Sequence, residues 1–352
     1  MKKTILLLLI FVLAISFLFS MNGSFYKPGR LRTEKGLRSP LTPPSQEGVD
    51  QNHFKVAEDI LLYYFRSGEG RPVLVIHGGP GSPSTEPWPG LEELRKDFMF
   101  HYYHQRGCGH STRPVDTFES QNFMKNAFSL DKVLGLSAQL ADIERIRRIL
   151  KQEKLILMGH SYGGFLASLY AVEFPEHVEK MVLIAPANVL KMPIEDGGFD
   201  EIREFLTEKE KAEFDDFLRR YFDYGKIFSK NEKELSSVNS EYGRFYKAVY
   251  KHLGLKFHEG PDEDLALMGG WMVHAMYVSL GMKYDLTEEL KKVPAPVLVL
   301  HGEKDLMPAK ASQKYADLFP QGQLKILPDV THFPFLEDPL EFAKIVKTFL
   351  SQ

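Results

Sequence analysis

The 352-residue chain balances 44 Lys and Arg against 47 Asp and Glu, for a formal net charge of −3, and 43% of its residues are hydrophobic. This length and composition are typical of a globular protein with one large domain and an insertion. The nearly even charge balance gives no indication of a strongly basic nucleic-acid-binding protein. The single cysteine, Cys108, excludes an internal disulfide framework and a cysteine-rich zinc site.

The N-terminus has the charge and hydropathy pattern of an export signal. Lys2 and Lys3 precede an apolar run from Ile5 to Phe19 that only Ser16 interrupts. The run is shorter than the roughly 20 residues that a membrane-spanning helix needs. We therefore expect residues 1–20 to be a signal peptide or an N-terminal anchor, and the protein to be periplasmic, secreted or membrane-tethered. Whether the segment is removed stays open.

The next segment, residues 21–51, contains four prolines and little apolar periodicity, which predicts a linker or an irregular arm. Beyond it, short apolar runs alternate with helical patterns, which predicts a mostly parallel sheet covered by helices on both faces. The predicted strands are Ile60–Phe65, Pro72–Ile76, Phe98–Tyr103, Leu155–Met158, Met181–Ile184, Val297–Leu300 and Leu324–Leu327. The predicted helices are Ser137–Lys151, Tyr162–Glu173, Ala309–Phe319 and Pro339–Leu350.

One segment, residues 187–285, breaks this alternation because it contains no clear strand. Its aromatic residues recur at helical spacing, as at Phe214, Phe217 and Tyr221. The pattern predicts a helical cap inserted between two parts of an α/β core, residues 52–186 and 286–352. The aromatic residues are more simply the core of that helical layer than ligand contacts.

A G-x-S-x-G motif at residues 159–163 directly follows the predicted strand Leu155–Met158 and directly precedes a predicted helix. Its glycines permit the tight strand-to-helix turn that presents a serine hydroxyl at the edge of a sheet. The N-terminus of the helix directs its N–H groups at a developing oxyanion. The same pentapeptide also occurs in ordinary turns, but this setting favours Ser161 as a nucleophile.

A serine with an ordinary pKa needs a nearby base, and in sheets of this kind the acid and the histidine follow the serine along the chain. Asp305 follows the strand Val297–Leu300 and His332 follows the strand Leu324–Leu327, at the carboxyl edge where catalytic groups gather. Asp305 is favoured over Glu303 because the loop must extend further to reach the histidine. The alternatives are a turn or helix-capping role for Asp305 and a surface position for His332.

A second glycine-rich loop, His-Gly-Gly-Pro-Gly at residues 77–81, follows the predicted strand Pro72–Ile76. Glycines let the main chain pass close to a ligand, and the proline stiffens the turn, as an oxyanion-binding loop requires. We predict that the N–H groups of Gly79 and Tyr162 form the oxyanion hole. A plain glycine-rich turn is the alternative.

Three segments, residues 77–81, 105–109 and 159–164, together resemble the proline iminopeptidase branch of the α/β-hydrolase superfamily. The resemblance covers roughly residues 53–350 apart from the insertion, and His104 stands where the family motif D-Q-R-G-x-G-x-S has aspartate. It implies an α/β-hydrolase fold with the cap after the sixth core strand. It also implies a Ser161–His332–Asp305 triad and removal of an N-terminal residue, often proline, from peptides.

In that family, acidic residues of the cap hold the free α-amine of the substrate. An α-amino group with a pKa near 8 is largely cationic at neutral pH, so a partly buried carboxylate would select it. Trp271 could form an apolar wall for a proline ring or could pack the cap onto the core. The candidate carboxylates are Glu195, Asp196, Glu201, Glu204, Glu241, Glu259, Asp262, Glu263 and Asp264.

The expected partner is a small peptide or acyl substrate, with no nucleic acid and, for an acyl-enzyme cycle, no metal or organic cofactor. The oligomeric state stays open. Two other functions also stay open: a carboxylesterase or lipase acting on small acyl esters, because the same triad cleaves both bonds, and a non-catalytic binding protein on a hydrolase scaffold.

Overall fold

The computed structural model describes residues 24–192, 199–257 and 266–352. The strands in these segments are β1 (His53–Ala57), β2 (Ile60–Gly68), β3 (Arg71–Ile76), β4 (Phe98–Tyr103), β5 (Leu155–His160), β6 (Val178–Ile184), β7 (Lys191–Met192), β8 (Tyr284–Asp285), β9 (Val297–Gly302) and β10 (Gly322–Leu327). Eight of them form one sheet in the order β1-β2-β4-β3-β5-β6-β9-β10, and β7 pairs with β8.

The main sheet is parallel from β4 to β10, whereas β2 runs antiparallel to both β1 and β4. Its central strands are apolar along their length because both faces are covered. Leu74 and Ile76 of β3 enter the core on one face, while Val73 and Val75 enter the core on the other. The predicted mostly parallel sheet is therefore confirmed, and β1 extends it beyond the predicted strands.

Helices cover both faces of the sheet and form the inserted layer. They are α1 (Phe123–Leu134), α2 (Leu136–Ile149), α3 (Tyr162–Glu173), α4 (Phe199–Glu204), α5 (Glu208–Tyr221), α6 (Glu232–His252), α7 (Met272–Leu280), α8 (Thr287–Leu290), α9 (Ala309–Leu318), α10 (Pro334–Glu337) and α11 (Pro339–Leu350). The sequence pattern did not predict α1. No helix of the described segments is long and apolar enough to cross a bilayer.

The inserted layer contains α4 to α7 and begins after the sixth strand. At the two ends of the insertion, β7 and β8 pair antiparallel, with Lys191 opposite Asp285 and Met192 opposite Tyr284. The sequence pattern did not predict this strand pair. Phe214 of α5 is fully buried against Phe245 of α6, with ring centroids 4.9 Å apart. The helical spacing of the aromatic residues thus serves the packing of the layer.

The arm before the core is irregular, apart from a short 3₁₀ helix at Leu31–Thr33, but it is docked on the core. Tyr26, Leu31 and Leu41 are each 3% exposed and belong to the main core. Glu173 at the end of α3 accepts hydrogen bonds from the Tyr26 hydroxyl and from the N–H groups of Gly29 and Leu31. The described arm is thus an integral part of the folded domain.

Candidate active site

Ser161 lies in the sharp turn between β5 and α3, with φ 51° and ψ −118°. A positive φ is costly for a residue with a side chain, and such strain is concentrated at functional sites. The turn is tight because a Cβ on Gly159 would lie 2.4 Å from the Gly163 carbonyl oxygen, and one on Gly163 would lie 2.0 Å from the Ile76 carbonyl oxygen. The two motif glycines therefore permit the turn that presents the serine.

The glycine-rich loop after β3 passes directly over this turn. A Cβ on Gly78 would lie 3.1 Å from the Cβ of Ser161, and Gly79 and Gly81 have φ values of 111° and 90°. Tyr162 is the first residue of α3, where a helix leaves its N–H groups without an intrahelical acceptor. The two segments predicted to form the oxyanion hole thus meet at Ser161.

Asp305 and His332 come together at the carboxyl edge of β9 and β10, two adjacent parallel strands. Nδ1 of His332 donates a hydrogen bond to Oδ2 of Asp305 across 2.7 Å, and Oδ1 of Asp305 accepts one from the Met307 N–H at 3.0 Å. Glu303, the rival acid, instead accepts a hydrogen bond from the Asp329 N–H. The geometry therefore pairs His332 with Asp305 and not with Glu303.

The charges of this pair stabilise each other inside the protein. Burial lowers the pKa of His332, but the Asp305 carboxylate outweighs burial and holds the histidine pKa above its ordinary value. Burial likewise raises the pKa of Asp305, and the charge and hydrogen bond of His332 outweigh it, so that the pKa of this carboxyl is lowered. An anionic Asp305 can therefore steady an imidazolium on His332.

His160, which immediately precedes the serine, contacts the loop of His332. Its Nε2 lies 2.9 Å from the His332 carbonyl oxygen, which can only accept, so Nε2 donates. Burial lowers the pKa of His160 to about 3, which keeps its ring neutral. The motif spacing is the one signal that places it beside Ser161.

The Gln-Arg-Gly segment after β4 supports the glycine-rich loop. Gln105 donates from its side chain to the His77 carbonyl oxygen at 2.8 Å, and its N–H donates to Nε2 of His77 at 3.0 Å. Arg106 makes two hydrogen bonds to the buried carboxylate of Asp142, at 2.5 and 2.6 Å. Cys108 is fully buried, and burial raises the pKa of its thiol, so it is a packing residue.

His104, which stands where the family has aspartate, bridges two loop segments. Its Nδ1 accepts from the His110 N–H at 3.1 Å, so the proton resides on Nε2, which donates to the Ser84 carbonyl oxygen at 3.0 Å. Burial lowers the pKa of His104 to about 4, consistent with a neutral ring. The histidine thereby provides a hydrogen-bond partner for the His110 N–H and for the Ser84 carbonyl oxygen.

The cap reaches the site through α6. The Tyr246 ring lies 6.5 Å from the His332 ring, between centroids, and Tyr242 precedes it by one turn on the same face. Burial raises the pKa of Tyr246, and the charges of Asp305 and Glu201 are among the smaller causes of that rise. Glu201 of α4 is a half-buried carboxylate of the inserted layer.

The other candidate carboxylates lie elsewhere or outside the described residues. Glu241 is held by Arg220 through two hydrogen bonds of 2.6 and 2.7 Å, and Glu204 is exposed. Trp271 is 0% exposed and donates from Nε1 to the Asp116 carbonyl oxygen, which favours the packing alternative for this residue. The candidates outside the described residues are Glu195, Asp196, Glu259, Asp262, Glu263 and Asp264.

A buried carboxylate that sequence reasoning missed, Glu232, supports the site from the start of α6. It accepts hydrogen bonds from the N–H groups of Gly270 and Trp271, both at 2.8 Å, and pairs with Arg113. The neighbouring Gly269 N–H donates to the Gly81 carbonyl oxygen at 2.9 Å. Glu232 thus anchors the segment on which the glycine-rich loop rests. A glutamate at a helix start carries no sequence signal for this role.

Within the described parts of the chain, no group of three or more His, Cys, Asp or Glu side chains is arranged to hold a metal ion.

Comparison with known proteins places the chain in a family. Residues 71–339 match the family model described as "alpha/beta hydrolase fold". The chain is 26% identical over 299 residues to the proline iminopeptidase of Heyndrickxia coagulans, covering 81% of this chain and 92% of that one. It is 25% identical over 320 residues to the human serine hydrolase BPHL, covering 90% and 92%.

Solved structures agree in fold. An esterase from Rhodococcus sp. ECU1013, RhEst1, superposes with a TM-score of 0.54 at 20% identity, covering 84% of this chain and 96% of that one. The proline iminopeptidase of Mycobacterium smegmatis superposes with a TM-score of 0.52 at 21% identity, with coverages of 84% and 96%. The protein therefore belongs to the α/β-hydrolase fold family and is a hydrolase similar to proline iminopeptidases.

Proposed function

We propose that the protein is a serine aminopeptidase that releases an N-terminal residue, with proline favoured, from peptides. The observation that carries the proposal is the 2.7 Å hydrogen bond between His332 and Asp305 beside the strained turn of Ser161. The similarity to curated proline iminopeptidases over most of the chain supports the choice of substrate.

The proposed reaction is an acyl transfer through the serine. Ser161 attacks the carbonyl carbon of the scissile bond while His332 takes its proton, and the N–H groups of Gly79 and Tyr162 bind the oxyanion. His332 then protonates the leaving amine. Water, deprotonated by His332, releases the N-terminal residue and restores Ser161. Asp305 stays ionised and steadies the imidazolium throughout.

We propose Glu201 as the carboxylate that receives the α-amine of the substrate. It is a half-buried carboxylate of the inserted layer, and its charge is among the smaller causes that raise the pKa of Tyr246, whose ring lies 6.5 Å from the His332 ring. A hydrogen bond to a charged group contributes about 1.5–3 kcal/mol. Glu201→Gln should therefore lower kcat/KM for a free-amine substrate by about 10- to 100-fold. Glu204→Gln, an exposed carboxylate of the same helix, is the matched control.

Three substrates test the function: proline 4-nitroanilide, its N-acetylated form and 4-nitrophenyl acetate. We expect turnover of the free anilide, loss of turnover on acetylation, and loss of all activity in Ser161→Ala. Efficient ester turnover together with equal rates for the free and acetylated anilides would instead identify an esterase. Failure of the wild type to react with a fluorophosphonate probe would identify a non-catalytic protein.

A further inference from the structure

The described chain begins at Ser24, so the predicted signal or anchor of residues 1–20 lies outside the described residues, and the docked arm fixes the position of Ser24. The Ser24 hydroxyl donates to the Ser279 carbonyl oxygen at 2.7 Å, and the Tyr26 N–H donates to the same oxygen at 3.0 Å. The Tyr26 hydroxyl is held by the buried carboxylate of Glu173. Four residues, 20–23, separate Ser24 from the end of the apolar run at Phe19. An extended chain of four residues spans at most about 14 Å.

An exposed apolar surface lies beside the start of the described arm. The Phe25 ring contacts the ring of Phe128 on α1, with centroids 6.1 Å apart. Phe128 is 57% exposed, and Met124, one turn earlier on the same helix, is 41% exposed. Large apolar side chains so exposed on neighbouring turns are characteristic of an interaction surface.

The same outward face of α1 is cationic. Lys125 and Lys132 are exposed beside the two apolar side chains. The acidic residue of α1, Asp131, is half-buried at the edge of this face, where its carboxylate accepts a hydrogen bond from the Ser279 hydroxyl. Apolar side chains that can enter the acyl boundary, with lysines beside them that anionic headgroups attract, make this face suited to an anionic bilayer.

We propose that this face, formed by Phe25, Met124, Lys125, Phe128 and Lys132, lies on an anionic lipid bilayer to which residues 1–20 tether the protein. The arm is too short and too firmly held for the domain to stand far from a membrane that contains the apolar run. The tether would then present α1 to the lipid, with the apolar side chains among the acyl chains and the lysines at the headgroups. This inference is independent of the substrate proposed above.

The test uses the full-length chain in vesicles of phosphatidylglycerol and phosphatidylcholine. Because Cys108 is fully buried and is the one cysteine of the sequence, Phe128→Cys can be labelled selectively with an environment-sensitive fluorophore. We expect lipids with a nitroxide on the acyl chain to quench this label at least about twofold more than a label at Leu340→Cys. Leu340 is a matched control, since it is 73% exposed on α11.

Two further variants keep the test decisive. Met124→Cys repeats the measurement should the label at 128 disturb its surroundings. Lys125→Glu combined with Lys132→Glu should weaken quenching at position 124, whereas Lys347→Glu, an exposed lysine of α11, should not. Equal quenching at 124, 128 and 340 would overturn the proposal. A label at 128 that is already shielded without vesicles would also overturn it, because the N-terminal segment itself would then cover the face.

Discussion

Nε2 of His160 donates a hydrogen bond to the backbone carbonyl oxygen of His332 across 2.9 Å. The residue that precedes the proposed nucleophile thus holds the loop that carries the proposed base. The two loops belong to different strands, β5 and β10, separated by more than 160 residues. This bond is a direct physical link between the turn of Ser161 and the position of the His332 imidazole.

His160→Phe should lower kcat by about 10- to 100-fold with a small change in KM, because a shift of about 1 Å in a catalytic group costs that much. The ring still fills the space beside Trp88 and Phe335. Steady-state kinetics with the best substrate measures both constants. His101→Phe, at a buried histidine of β4, is the control, and equal losses in the two variants would show that His160 has no specific positioning role.

Asp305→Asn should reduce kcat by about 10⁴-fold, since the neutral amide no longer stabilises the imidazolium or its tautomer. In the wild type, the pKa of His332 is raised, so its imidazole stays protonated up to a higher pH than that of an ordinary histidine does. Activity should therefore fall as the pH drops through a value above 6.5, and the residual activity of Asp305→Asn should fall at a lower pH. The pH profile of kcat/KM measures the shift. An unchanged acidic limb would contradict the assignment.

Asp142→Ala should lower the free energy of unfolding by about 3–5 kcal/mol, because it leaves two buried guanidinium groups without their carboxylate. Arg106 and Arg145 both bond to Asp142, and all three side chains are almost fully buried. Urea unfolding with an unchanged m value measures the loss. The control is Asp59→Ala, whose ion pair with Arg38 is exposed and should contribute about 1 kcal/mol or less.

Asp131 should make stability depend on pH in the mildly acidic range. Burial raises its folded-state pKa to about 6, against an ordinary value of 3.8. The folded protein therefore keeps a proton that the unfolded chain has already released, and this stabilisation is lost as the pH rises from about 4 through 6. Asp131→Asn removes the dependence, so its free energy of unfolding should rise relative to the wild type across this range. A difference that stays constant with pH would contradict the shift.

Local patterns in the sequence were sufficient to predict the parallel sheet and to identify the candidate nucleophile. Continuous apolar strands such as Val73–Ile76 can be buried on two faces only between layers of helices, and G-x-S-x-G between a strand and a helix permits one kind of turn. The order of Asp305 and His332 after successive strands placed both at one edge, because parallel strands present their carboxyl ends together.

Tertiary structure decided the features that join residues distant in sequence. No local sequence pattern predicts three of these contacts. They are the hydrogen bond from His160 to His332, the support of the Gly81 loop through Glu232 and Gly269, and the docking of the arm on Glu173. Each exists because packing brings a buried polar group to a partner that it must have. Likewise, an apolar residue such as Phe128 resembles a core residue in the sequence, and only the fold shows that it faces outward beside Phe25 of the docked arm.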